Sequence, residues 1–250
     1  MLKTFDAFAP SARLAEGGRV ALYAAPRVDD PLWVFGSAVI GYDAVSGERL
    51  MSAPPLGLER ELWDGFTADP RRYGFHATLK APFRLAHRDG LPELRAALRR
   101  FCGETVPLAP FRLEVKALGE FLALVPAPAP SELSDFAASV VTSFDGFRAP
   151  LSQAERKRRL AEKLDAGRLA YLERYGYPYV FEFFRFHMSL TGKVPDTSLR
   201  EELRAALAEV FWRETGNAPF ALDALALFVQ PDQGTSFRIA HREALSGTPA

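Results

Sequence analysis

Two of the four histidines in this chain of 250 residues share one local frame. His76 stands in Arg72-Tyr73-Gly74-Phe75-His76-Ala77-Thr78-Leu79-Lys80, and His187 in Arg185-Phe186-His187-Met188-Ser189-Leu190-Thr191. Each follows a phenylalanine, precedes a hydroxyl by two positions and a leucine by three. An imidazole titrates close enough to neutrality to act as base or acid, so two that face each other can serve both ends of a phosphodiester cleavage. One would activate the nucleophile and the other would protonate the departing oxygen. The hydroxyls of Thr78 and Ser189, with the cations Lys80 and Arg185, are suited to hydrogen-bond phosphoryl oxygens as charge builds on them.

Alternating apolar and polar residues predict that both motifs are strands. Phe75, Ala77 and Leu79 then share one face, and Gly74, His76, Thr78 and Lys80 the other. Phe186, Met188 and Leu190 oppose Arg185, His187, Ser189 and Thr191 in the same way. A single strand histidine is more often a hydrogen-bonded structural residue than a catalyst. Two in equivalent positions of a repeated unit favour function. The remaining pair, His87 in a turn and His241 in a terminal strand, lack the frame and read as structural.

No HExxH and no His-x-His run is present, and the single cysteine, Cys102, excludes a multi-thiolate site and an internal disulfide. Neither a metal nor a cofactor is expected. The chain also lacks a GxxxxGK[ST] loop, a GxSxG elbow and a dinucleotide fingerprint.

The elements that must position the two motifs recur. Arg19-Val20-Ala21-Leu22-Tyr23-Ala24-Ala25-Pro26 reads as a strand stopped by proline, followed by a helix over 31–42, a loop-rich stretch, the His76 strand, and a helix from Leu91 to about Cys102. Strands around the Leu118-Gly119 turn come next. Phe121-Leu122-Ala123-Leu124-Val125-Pro126 restarts the order, with a helix over 131–143 capped by Ser131, the His187 strand and a helix over 197–214. Ala218-Pro219-Phe220 echoes Ala109-Pro110-Phe111 at nearly the same distance beyond its histidine. This predicts one bilobal domain over 1–250, with lobes of about 19–126 and 121–245. A polar helical insert over about 150–175 carries the basic run Arg156 to Arg159, read as a solvated face, with a lid or anion-facing surface as the alternative.

The formal net charge is zero, which weighs against long nucleic acid and leaves any anionic ligand to local groups. No apolar run reaches the roughly 18 residues of a membrane span, and the N-terminus shows no signal-peptide pattern. The expectation is a cytoplasmic protein without membrane contact, its oligomeric state open.

With these residues in view, the sequence resembles the 2H phosphoesterase superfamily, whose two His-x-Thr/Ser motifs correspond here to His76-Ala77-Thr78 and His187-Met188-Ser189. Arg71-Arg72-Tyr73-Gly74-Phe75-His76-Ala77-Thr78-Leu79-Lys80-Ala81-Pro82-Phe83, the stretch from Tyr175 to Gly192 and the opening strand are similar to a branch named for phosphonate metabolism. The resemblance implies an α+β fold with two antiparallel sheets facing across a central cleft, helices on the outside, and metal-free phosphodiesterase chemistry. It also implies that His76 and His187 are the acid/base pair and that Thr78 and Ser189 bind phosphate. Ser189 stands where threonine is frequent and keeps the donor. Relatives in the superfamily act on 2′,3′-cyclic nucleotides, ADP-ribose cyclic phosphate or RNA ends. The phosphonate branch suggests a phosphoribosyl cyclic phosphate. Tyr23, Tyr73, Tyr177 and Tyr179 are candidates to hold a sugar or base, with core packing the alternative. A binding module for a phosphorylated metabolite or RNA end, and an RNA-end ligase, are the competing functions.

Overall fold

The computed structural model describes residues 14–15, 17–87, 90–160 and 163–248. The N-terminal stretch read for a signal pattern falls mostly outside them, as do residues 88–89 of the His87 turn and 161–162 of the insert. No helix among the described residues is long and apolar enough to cross a membrane.

Among the described residues seven strands are interspersed with helices: β1 (Arg19–Ala24), α1 (Pro31–Ile40), α2 (Arg60–Tyr73), β2 (Ala77–Phe83), α3 (Leu91–Glu104), β3 (Leu113–Leu118), β4 (Phe121–Pro126), α4 (Glu132–Ser143), α5 (Gln153–Leu160), α6 (Ala166–Tyr175), β5 (Met188–Ser189), α7 (Thr197–Thr215), β6 (Ala224–Gln230) and β7 (Arg238–Ala244). All the strands join one antiparallel sheet in the order β3-β4-β5-β2-β1-β6-β7. Two separate facing sheets were expected, and this is the correction. Ala77 pairs with Met188, so the inner edges of the two halves satisfy each other's backbone groups instead of ending as open edges.

Exchanging β1 with β4, β2 with β5 and β3 with β6 leaves the order of these six strands unchanged. The exchange axis passes between β2 and β5. Phe111 and Phe220, the echoed phenylalanines, bond to each other reciprocally, N–H to carbonyl at 3.1 and 2.8 Å. Their rings meet edge to face, and Phe186 packs edge-on against Phe111 directly before His187.

Helix α2 occupies the stretch read as loop. The proline at position 70 disguised it, because a proline inside a helix removes one N–H and orphans the carbonyl four residues back. That carbonyl belongs to Phe66, and the Gly192 N–H takes it at 2.6 Å. Trp63, Thr67 and Pro70 then form the buried stripe. The helix is thereby fastened to the chain leaving β5. At α4, Ser131 stands at the expected N-cap position, but its hydroxyl donates to the Glu132 carboxylate and accepts no backbone N–H of the helix. The polar insert does form two short helices, α5 and α6. Cys102 is buried in α3, and burial pushes its thiol up to about 12, as fits inert core filler.

Candidate active site

The two histidine motifs meet at the centre of the sheet, on adjacent strands. Continuing the Ala77–Met188 register by one residue each way sets His76 opposite Ser189 and Thr78 opposite His187. Ala77 and Met188 are fully buried on the far face, so the four polar side chains share the near one. Directly opposed Cβ atoms lie roughly 5 Å apart, and diagonal ones roughly 7–8 Å. The histidines therefore stand on one diagonal and the hydroxyls on the other, with room for a phosphoryl group among them.

Both imidazoles are held in the same way. His76 Nδ1 donates to the Gly74 carbonyl at 2.7 Å, and His187 Nδ1 donates to the Arg185 carbonyl at 2.8 Å. A carbonyl can only accept, so Nδ1 carries the proton and Nε2 presents a lone pair when the ring is neutral. His76 Nε2 meets the Thr78 hydroxyl at 3.1 Å. Gly74 reaches its position at φ +80°, where a Cβ would come within 2.7 Å of Ala44 Cβ, so the acceptor for His76 depends on glycine here. Beneath His76 lies Tyr23, which pairs with Thr78 across β1 and β2. Burial drives the His76 pKa down to about 3, and the nearby His187 adds to the effect. Burial also lowers His187 below its ordinary value.

Lys80 does not join them. Between Thr78 and Lys80 the β1–β2 register slips by one residue, a bulge that breaks the alternation on β2. Lys80 turns to α4, where its ammonium bonds the Val141 carbonyl and the Asp145 carboxylate, both at 3.1 Å, and Ala81 takes the cleft-side place. Arg185 also stays away; its guanidinium donates to the Glu182 and Phe184 carbonyls. Tyr23 is fully buried and supports His76 from within the sheet. Tyr23, Tyr73 and Tyr177 are among the residues lining the cleft, whereas Tyr179 is not and packs edge-on against Tyr177. Neither His87 nor His241 lines it, and the His241 ring bonds Glu243 at 2.6 Å.

The cleft is an open cavity of about 470 Å³, a size that suits a small ligand. His76, Thr78 and Ser189 form part of its floor; His187 is not among the lining residues but packs against one of them, Phe121, with ring centroids 5.7 Å apart. Arg158 and Arg159 of α5 also line it, the less favoured reading of the basic run. Arg19 was missed. It hides in an apolar strand, but Arg19, Ala21 and Tyr23 alternate onto one face, and that alternation was the available signal. Among the described residues no cluster of three or more His, Cys, Asp or Glu side chains forms a metal-binding set.

Comparison with known proteins gives three results. The family described as Protein of unknown function (DUF1045) matches residues 78–238. Two curated relatives, each named ribose 1,5-bisphosphate phosphokinase PhnN, are 37% identical over 92% of this chain in Janthinobacterium sp. (strain Marseille) and 34% identical over 88% in Laribacter hongkongensis (strain HLHK9). The chain spans about half the length of these relatives, 51% and 50%. Structures of Kluyveromyces marxianus Usb1, one with uridine monophosphate, align over 89% of this chain and 97% of theirs at 14% identity, with TM-scores of 0.36 and 0.39.

Proposed function

The chain belongs to the DUF1045 family, and for this member we propose a metal-independent phosphodiesterase of the 2H type that opens a small cyclic phosphate ester. One observation carries the reading: two imidazoles with the same Nδ1 anchoring share one face of adjacent central strands with Thr78 and Ser189, and His76 and both hydroxyls line a ligand-sized cleft. The mirrored strand order supports the two-lobed organisation read from the repeats.

In this reading His76 is the base. Its ring is stacked on Tyr23, stays neutral down to about pH 3 and presents an unprotonated Nε2 beside the Thr78 hydroxyl. A water attacks phosphorus and gives its proton to that nitrogen. As the new P–O bond forms, the ester P–O bond breaks, and the leaving sugar oxygen takes a proton from Nε2 of His187, which returns to neutral. Thr78 and Ser189 donate to the non-bridging oxygens. Both imidazoles are neutral near pH 7 in the empty cleft, so the anionic phosphodiester itself raises the proton affinity of His187 on binding. Each proton transfer contributes typically 10²–10⁴ in rate.

The relatives' printed name points to a substrate. Opening a 5-phosphoribosyl 1,2-cyclic phosphate at O2 leaves the phosphate on C1, and the product is ribose 1,5-bisphosphate, the compound in that name. Nucleoside 2′,3′-cyclic phosphates present the same ring to the same groups and are the alternative substrate class. The test is an assay of both substrates in chelator, with product regiochemistry read by phosphorus NMR. Ring opening that survives chelation is expected; loss of all turnover in chelator defeats the metal-free mechanism, and binding without any product favours a capture module.

A further inference from the structure

Arg19 is only 8% exposed, yet it has no carboxylate partner among the described residues. Its Nε donates to the neutral Gln230 side chain at 2.8 Å, and its guanidinium carbon lies 5.3 Å from the centroid of the Phe237 ring. Burying a guanidinium is costly without an opposite charge, and burial does lower its proton affinity. Its charged neighbours make matters worse, because Arg72 and Arg158 both repel it. Arg159 also lines the cleft, over the Tyr177 ring and 5.0 Å from its centroid. Of the charged side chains lining the cleft, Arg19, Arg158, Arg159 and Lys193 are cationic and Asp69 alone is anionic. Lys193 pairs with Glu120 at 3.4 Å, so in a chain of zero formal charge the excess positive charge of this cleft rests on its arginines.

This charge is not at the histidines. Arg19 lies four residues from Tyr23 on the same face of β1, on the order of 13 Å at strand rise. The scissile group belongs to the Thr78–Ser189 level, so an anion meeting Arg19 is a different part of the ligand. A planar guanidinium suits a phosphate dianion, and three arginines exceed what one carboxylate needs.

We propose that Arg19, Arg158 and Arg159 form a second anion subsite that receives a terminal phosphomonoester of the substrate, apart from the diester held at the histidines. It rests on the phosphodiesterase reading and deepens it: the substrate is a doubly phosphorylated small molecule. Helix α5 completes the subsite from the insert, which gives that segment a role in substrate choice.

The test compares adenosine 2′,3′-cyclic phosphate with its 5′-phosphorylated form, and separately titrates ribose 5-phosphate by calorimetry. The added phosphate should raise kcat/KM by roughly 10- to 10²-fold, as expected for charge-assisted hydrogen bonds. In the Arg158→Gln/Arg159→Gln double variant, and in Arg19→Gln if it folds, most of that advantage should disappear, with a KM rise larger for the phosphorylated substrate. Equal kcat/KM for the two substrates in the wild type, or an equal loss on both in the double variant, overturns the subsite. The calorimetric arm separates the two ideas. Ribose 5-phosphate should bind a His76→Ala protein as it binds wild type and bind the double arginine variant at least about tenfold more weakly, whether or not any ester is cleaved. Unchanged affinity in the double variant, or no binding to either protein, sinks the subsite while leaving the histidine chemistry standing.

Discussion

Tyr23 and His76 lie face to face, their ring centroids 3.6 Å apart and their planes 16° from parallel. The phenol ring is completely buried, so it closes one face of the imidazole to water. Replacing Tyr23 with leucine should therefore move the His76 titration up towards the ordinary value near 6.5. Imidazole proton resonances followed against pH give the measurement. A titration that stays where it was would mean that other groups do the desolvating.

His76→Ala and His187→Ala should each lower turnover by at least about 10², the lower limit for a general acid or base. Thr78→Val should also cut kcat, because it removes both a donor to phosphate and the contact to His76 Nε2. Near-normal turnover in either alanine variant would take that histidine out of the chemistry.

The pH dependence of catalysis follows from the shifts at both rings. In the proposed mechanism kcat/KM, which reports the free enzyme, needs His76 neutral and His187 protonated. Burial holds His187 below its ordinary value, so kcat/KM should decline as pH rises through a point under about 6.5. The corresponding limb of kcat should sit higher, because bound phosphate favours the imidazolium. A kcat/KM limb above pH 7 would contradict this arrangement.

Stability should respond to the same burial. In the folded chain His76 takes a proton only near pH 3, whereas in the unfolded chain it does so near 6.5. Between those values the unfolded state holds more protons, so stability falls as pH drops, by at most about 1.4 kcal/mol per pH unit from this group. Denaturant melts of wild type and His76→Gln between pH 6.5 and 4 should show a shallower slope in the variant.

Lys80→Met tests the other face of β2. Its side chain is 4% exposed, and its ammonium pairs with Asp145, which Arg148 also holds at 3.0 Å. Burial alone would raise Asp145, but the bonds from Arg148 and Lys80 outweigh it and keep the carboxyl below the usual range. Stability should drop by on the order of 2 kcal/mol, less than the roughly 3–5 of an isolated broken pair, because Arg148 remains. KM should stay within about twofold. A large rise in KM would place Lys80 in substrate binding after all.

Much of this site was legible because it rests on period-two alternation and on repetition. The Phe-His-x-hydroxyl-Leu frames put His76, Thr78, His187 and Ser189 on matching faces, and the echo at Phe111 and Phe220 marked equivalent positions in the two halves. What escaped was non-local or depended on a local slip. A bulge after Thr78 cannot be read from alternation, and it sent Lys80 to the wrong side. Helix α2 was hidden by Pro70, since its missing bond is replaced by Gly192, more than a hundred residues away in sequence. The joining of two sheets into one hangs on the pairing of Ala77 with Met188, which no local pattern specifies. Arg19 escaped because its strand reads as apolar and its lack of a counter-charge is visible only in the folded cleft.

The mirrored halves are not identical where it matters. Tyr23 pairs with Thr78, and the matching partner of Ser189 is Ala123. One imidazole thus rests on an aromatic plate, while the equivalent place in the other half holds a methyl group. A site with true twofold symmetry would give both rings the same proton affinity and would accept its substrate in either of two opposite orientations. Tyr23 against Ala123 breaks that degeneracy, so in the mechanism proposed above the centre would have a polarity: proton uptake would belong to one half, proton delivery to the other, and an ester would be read in only one direction.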